Sequence, residues 1–117
     1  MKNQSFARRL TFAFAGLRTA WHTESSFKVH VLATVAVLAA LAWWRPSALW
    51  CAVIVLTVAA VLAAELVNTA VEHLADHLHP EQHVEIKIVK DCAAGAVLVV
   101  SLAALAVAVA FVYDVVL

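Results

Sequence analysis

The chain of 117 residues is 65% hydrophobic and 14% charged, with a mean hydropathy of +0.93. A globule this small has too much surface for its volume to hide so much apolar material, so the composition excludes an ordinary soluble domain and implies a single integral-membrane domain, residues 1–117. Eight basic residues balance eight acidic ones, which leaves no electrostatic footprint for nucleic acid, and none is expected as a partner.

The N-terminal stretch has no uncharged apolar h-region ahead of a small-residue cleavage site, since Arg8, Arg9 and Arg18 interrupt it, and it does not read as a signal peptide. Phe6, Leu10, Phe14, Leu17 and Trp21 recur at helical spacing and form one apolar stripe, with Arg8, Thr11, Arg18 and His22 facing away. This pattern predicts an amphipathic helix over about residues 4–22, lying in the membrane interface.

Three apolar stretches follow: "VHVLATVAVLAALAWW" at 29–44, "SALWCAVIVLTVAAVLAA" at 47–64 and "CAAGAVLVVSLAALAVAVAFVY" at 92–113. A span takes about 20 residues, and with their flanks these predict transmembrane helices over about 27–44, 47–78 and 90–115. Arg45 and Pro46 make a tight turn between the first two, and Trp43, Trp44 and Trp50 beside it read as an interfacial aromatic belt. Lys2, Arg8, Arg9, Arg18 and Lys28 precede the first span, Lys87 and Lys90 lie between the second and third, and only Arg45 lies on the other side. That asymmetry puts the N-terminus and the 73–91 loop in the cytoplasm and the C-terminus outside. Cys51 and Cys92 are expected near opposite ends of the spans, too far apart to bridge, as small packing residues.

The second span ends in "ELVNTAVE", residues 65–72. Ionisable groups near hydrocarbon are costly and mark functional sites by default. Measured around the helix from Glu65, Asn68, Glu72 and Asp76 fall at about 300°, 340° and 20°, so all four share one face. Glu24, ahead of the first span, and Lys90 and Asp91, at the start of the third, come to a similar depth. Gathered carboxylates repel unless something intervenes. A divalent cation such as Mg²⁺, held by hard oxygen ligands with room left for phosphate, is one resolution. A general base is a second. A proton or ion relay, or a structural pairing of Lys90 with Glu72 or Asp91, is the plainer alternative.

His73, His77, His79 and His83 form a second group. "EHLADH" is not the zinc-protease arrangement, because its glutamate precedes both histidines. Pro80 rules out a regular four-histidine helix. The expectation is a solvated loop, with structural zinc a minor alternative. Only Gly16 and Gly95 occur, so no glycine-rich phosphate cradle is present, and no serine triad is visible.

Read together, "ELVNTAVEHLAD" and "KDCAAGAVLV" resemble the small prokaryotic integral-membrane diacylglycerol kinase family, which includes undecaprenol kinases. The shared pattern is E-x-x-N-[ST]-A-x-E, then K-D about eighteen positions on. "AGLRTAWHTESSF" is similar to the family's N-terminal stretch, and the resemblance covers about residues 6–113.

The resemblance implies an all-α homotrimer of three-span subunits, each with a surface helix, in the bacterial cytoplasmic (inner) membrane. Composite active sites would lie at the cytoplasmic membrane edge and move the γ-phosphoryl of ATP to a lipid hydroxyl. Glu65 matches the catalytic base and Asn68 the asparagine beside it. Glu24 and Glu72 match the Mg²⁺-binding glutamates. Glu24, Glu72, Glu81, His83, Lys90 and Asp91 match the ATP-binding residues, with Arg8 or Arg9 as phosphate contacts. Phe12 and Ala13 stand where some members carry hydroxyl side chains. Diacylglycerol is the first choice of acceptor. "SSFKVH" and "NTAVEH" lean towards undecaprenol, the alternative of the same family. A non-enzymatic membrane adaptor and a proton-coupled transporter are readings of other classes; three spans without an internal repeat argue against the transporter.

Overall fold

The structure, a computed structural model, describes residues 3–117. Lys2, one of the basic residues in the orientation count, lies outside them. The described residues are helical almost throughout, with no strand among them.

Helix α1 runs Phe6–Thr23. Ser5 caps it, its hydroxyl accepting from the Arg8 N–H at 3.3 Å, a hydroxyl cap of the kind that satisfies an orphan donor of the first turn. Glu24 then adopts an extended backbone, φ −120° and ψ 108°, and this single residue separates α1 from α2, Ser25–Trp44. Arg45 ends α2 in the left-handed region, φ 47° and ψ 57°, its N–H donating to the Leu41 carbonyl at 3.0 Å. Pro46 follows. Ser47 caps α3, Ala48–Leu78, by accepting from the Trp50 N–H at 3.3 Å. At 1.5 Å per residue the 31 residues of α3 extend about 46 Å, well beyond the roughly 30 Å hydrocarbon core of a bilayer.

Helix α4 spans Val84–Phe111, followed by a π-helical turn over Val112–Val116. The third span therefore begins about six residues earlier than the apolar pattern indicates, and the 73–91 segment holds only a short loop, 79–83. The break is confined by Pro80, which disfavours helix at the residue before it. His83 restarts the helix: its Nδ1 accepts from the Glu85 N–H at 3.1 Å. Three helices, Ser25–Trp44, Ala48–Leu78 and Val84–Val116, are long and apolar enough to cross a membrane.

Helix α3 is the centre of the assembly. It touches α1, α2 and α4, and its longest seam is with α4. Ile54, Val61, Glu65, Thr69 and Ala75 form its buried line. Elsewhere Phe27 of α2, Ala20 of α1 and Phe111 of α4 are buried. The N-terminal part of the α1 stripe predicted to lie in the interface stands clear of the other helices, with Phe6 76% and Phe14 67% exposed, while Leu17 turns towards α3. At the α2–α3 turn end, Trp50 packs edge-on against Phe111 with ring centroids 5.5 Å apart, a favoured aromatic geometry. Its Nε1 donates to Asp114 Oδ2 at 2.7 Å, so Trp50 links α3 to the final turn rather than serving only as a belt residue. Cys51 and Cys92 are both free.

Candidate active site

The polar stripe of α3 resolves into three levels. At the deepest, Glu65 is 5% exposed, about 26 Å along the axis from Ala48. A carboxylate taken out of water requires a partner. His30 of α2 supplies it: its Nδ1 and Glu65 Oε1 are hydrogen-bond partners. One turn on, the buried Thr69 hydroxyl donates to the Glu65 carbonyl at 2.9 Å, which ties off that hydroxyl within the helix. At the middle level, Asn68 Nδ2 donates to Glu72 Oε1 across 3.5 Å, a long and weak contact. Asn68 Oδ1 is buried with no hydrogen-bond partner. Such an orphan acceptor costs free energy unless something else occupies its lone pairs. Glu72 itself is half-buried.

The outermost level belongs to Asp76. It is exposed and pairs with Lys90 of α4, Nζ to Oδ1 2.5 Å. Asp91 pairs instead with Lys87, 2.6 Å away and one turn back on its own helix. The alternative pairing of Lys90 with Glu72 or Asp91 is thus corrected. Lys87 and Asp91 are i,i+4 neighbours on α4, which leaves Lys90 to reach across to α3.

Four of the expected nucleotide residues come together. Glu81, His83, Lys90 and Asp91, with His79 and Lys87, line one open cavity of about 390 Å³ between the 79–83 loop and the start of α4. The loop is held by His79, whose Nδ1 donates to the Glu81 carbonyl at 3.0 Å, and whose ring lies 5.3 Å from that of His83. A groove of about 480 Å³ separates α1 from α3, with Gly16 and Leu17 facing Leu66, Thr69 and His73. A third, apolar cavity of about 170 Å³ runs between α2, α3 and α4, with His30 on its lining beside Thr34, Ile54, Val61 and Ser101.

Glu24 stands half-buried at the α1–α2 joint. Among the described residues no basic side chain pairs with Glu24 or Glu72, and no acidic one with Arg8 or Arg9. Nor do any three His, Cys, Asp or Glu side chains among them form a group that could hold a metal ion; of the four histidines expected in a solvated loop, His73 and His77 belong to the last turns of α3 instead, because Pro80 breaks the helix only after Leu78. His30 ends the stretch "SSFKVH" but is absent from the candidate site residues read from the sequence. Its signal was available: it is an ionisable residue inside an apolar span, which needs a partner at the same depth.

Comparison with known proteins adds the lineage. The prokaryotic diacylglycerol kinase family matches residues 11–112. A diacylglycerol kinase of Synechocystis sp. is 40% identical over 97 residues, covering 82% of this chain and 55% of the relative, so the chain spans little more than half the length of that protein. An undecaprenol kinase of Bacillus subtilis is 34% identical over 94 residues, covering 80% of this chain and 76% of the relative. A diacylglycerol kinase of Escherichia coli K12 is 27% identical over 88 residues, covering 75% and 72%. With a match across nearly its whole length, the chain belongs to the prokaryotic diacylglycerol kinase family.

Proposed function

We propose that the protein is an ATP-dependent lipid kinase of the bacterial cytoplasmic membrane, transferring the γ-phosphoryl of Mg-ATP to the hydroxyl of diacylglycerol to give phosphatidic acid. The observation that carries this reading is the graded stripe of α3. Glu65 is buried, where in this reading it meets the lipid hydroxyl, and a cavity lined by Glu81, His83, Lys90 and Asp91 opens further along the stripe.

Phosphoryl transfer needs positioning and charge neutralisation more than covalent help from the protein. The donor set suits Mg²⁺. Glu24 and Glu72 are hard oxygen ligands without a basic partner, and Mg²⁺ is commonly held by one or two carboxylates plus substrate phosphates. When bound, the ion would neutralise charge on the β- and γ-phosphates. Lys90 would add a point charge. Its exposed pairing with Asp76 is worth about 0–1 kcal/mol, so releasing it towards a phosphate is cheap. Arg8 and Arg9, exposed on α1, are further phosphate contacts in this reading.

Glu65 accepts the proton of the lipid hydroxyl. The electron pair of the broken O–H bond stays on the lipid oxygen, which bonds to the γ-phosphorus as the bond to the ADP oxygen breaks. Asn68, between Glu65 and Glu72, has a free buried acceptor with which to orient the reacting groups. The cytoplasmic edge, where ATP is available, is the Lys90 end of α4, with the N-terminus inside and the C-terminus outside. A homotrimer with composite sites would cover the exposed apolar faces of α2 and α4.

Undecaprenol is the second reading of the acceptor. It is favoured by the 34% identity to the Bacillus subtilis undecaprenol kinase, over 76% of that protein. The test is purified protein in mixed micelles with γ-labelled Mg-ATP and either lipid separately. Label in phosphatidic acid supports the first reading and label in undecaprenyl phosphate the second. Label in neither overturns the kinase reading.

A further inference from the structure

We infer that His30 is a positioning residue for the reaction, holding the Glu65 carboxylate so that only one of its oxygens meets the lipid hydroxyl. This rests on the proposal that Glu65 is the proton acceptor.

The inference starts from the protonation each partner requires. An ionised carboxylate has no proton to give, so in a bond between His30 and Glu65 the ring nitrogen must donate. With Glu65 ionised, as the proposed proton acceptor must be, the hydrogen bond runs from Nδ1–H to Glu65 Oε1. That oxygen is engaged and Oε2 is left for substrate.

The contact joins two helices, since His30 is on α2 and Glu65 on α3. A glutamate has three side-chain torsions, and its own helix does not fix the last of them. A donor on a neighbouring helix does. The burial is asymmetric as well: the Glu65 side chain is 6% exposed and that of His30 30%. The carboxylate is thus enclosed, and the imidazole that meets it is the more open of the two. His30 also lines the apolar cavity between α2, α3 and α4.

A purely structural role, stapling α2 to α3, makes different predictions. A staple would show in stability and in all kinetic constants together. A positioning residue acts on the step in which the proton moves, and there a misplacement of about 1 Å can slow turnover about 10²-fold.

The experiment uses the full chain in mixed micelles with the lipid acceptor and Mg-ATP, and four variants. His30→Phe keeps a planar ring without a donor. His30→Asn puts an amide N–H near the place of Nδ1. Glu65→Gln and the His30→Phe/Glu65→Gln double variant complete the cycle. Expected is a fall of about 10²-fold in kcat for His30→Phe, with KM for both substrates unchanged. His30→Asn should recover at least a tenth of wild-type turnover, and His30→Phe should cost nothing further once Glu65 is Gln. Turnover of His30→Phe within about twofold of wild type, with Glu65→Gln inactive, overturns the positioning role alone. So do equal losses in the Phe and Asn variants with a further loss in the double variant, the signature of a staple. Full turnover in Glu65→Gln instead removes the proton-acceptor reading, and this inference with it.

Discussion

The two motif glutamates of α3 should fail in different ways when each is replaced by glutamine. Glu65 and Glu72 lie about 10.5 Å apart along the helix axis, and they have different neighbours: Glu65 meets His30 across the α2–α3 seam, while Glu72 has only a long, weak contact from Asn68 one turn back. They do not converge on one ion. Glutamine at 65 keeps the shape and still accepts the His30 N–H, but an amide takes up no proton. General-base help contributes about 10²–10⁴ in rate, so Glu65→Gln should lose that much in kcat with Mg-ATP affinity near normal. At 72 the lost charge acts on the bound metal. Two unit charges 4 Å apart are worth about 1 kcal/mol in water and about 4 kcal/mol near a protein surface, and a divalent ion doubles both. Half-buried Glu72 sits between these limits, so Mg-ATP affinity should fall by at least about 30-fold, partly recoverable with excess Mg²⁺. Lipid phosphorylation in micelles gives kcat, and equilibrium dialysis of labelled Mg-ATP gives affinity. Equal loss of nucleotide affinity in both variants would refute the division and favour a shared electrostatic role.

Asn68→Leu removes a buried carbonyl that has no partner, a group that costs about 1–3 kcal/mol when left unpaired. Thermal unfolding in detergent should be unchanged or later while turnover drops at least tenfold; a less stable but fully active variant would contradict this. Asp76→Asn breaks an exposed pair worth about 0–1 kcal/mol, so stability and the Mg-ATP KM should hardly move, whereas Lys90→Ala should raise that KM several-fold; parallel behaviour of the two would make Lys90 a structural residue only. Mixing inactive Glu24→Gln and Glu65→Gln subunits should restore some turnover if sites are composite, measured against each variant alone, and well-mixed oligomers without any rescue would place each site within one subunit.

Much of the helical layout is legible from spacing. The Arg45–Pro46 turn, the apolar stripe of α1 and the polar face of α3 all follow from helical period and turn chemistry, because they are local properties. The start of α4 is less so. Glu85, Lys87 and Lys90 interrupt the apolar run that marks a span, yet the His83 cap and the apolar residues between those charges continue the helix upstream. Contacts between helices are the least legible. The periodicity puts Asp76 on the face of Glu65, but whether it joins the buried group or pairs outward depends on where Lys90 lands across the α3–α4 seam. His30 is the sharpest case. In sequence it is one histidine in an apolar run, and its meaning comes from a residue 35 positions away. The link of Trp50 to Asp114 spans 64 positions, so a tryptophan read as belt proves also to be a fastening between helix ends.

The turn joining α2 and α3 is short and stiff. Arg45 is held in the left-handed region, Pro46 has a fixed φ, and Ser47 is locked by its cap. From this fulcrum two arms run back along the bundle, about 22 Å to His30 and about 26 Å to Glu65. A rotation of about 5° at the fulcrum would sweep either tip through roughly 2 Å, more than separates a poised carboxylate from a useless one. The turn touches neither nucleotide nor acceptor hydroxyl, yet it sets the gauge between the two groups that meet at the other end, much as the pivot of a pair of tongs sets where the points close.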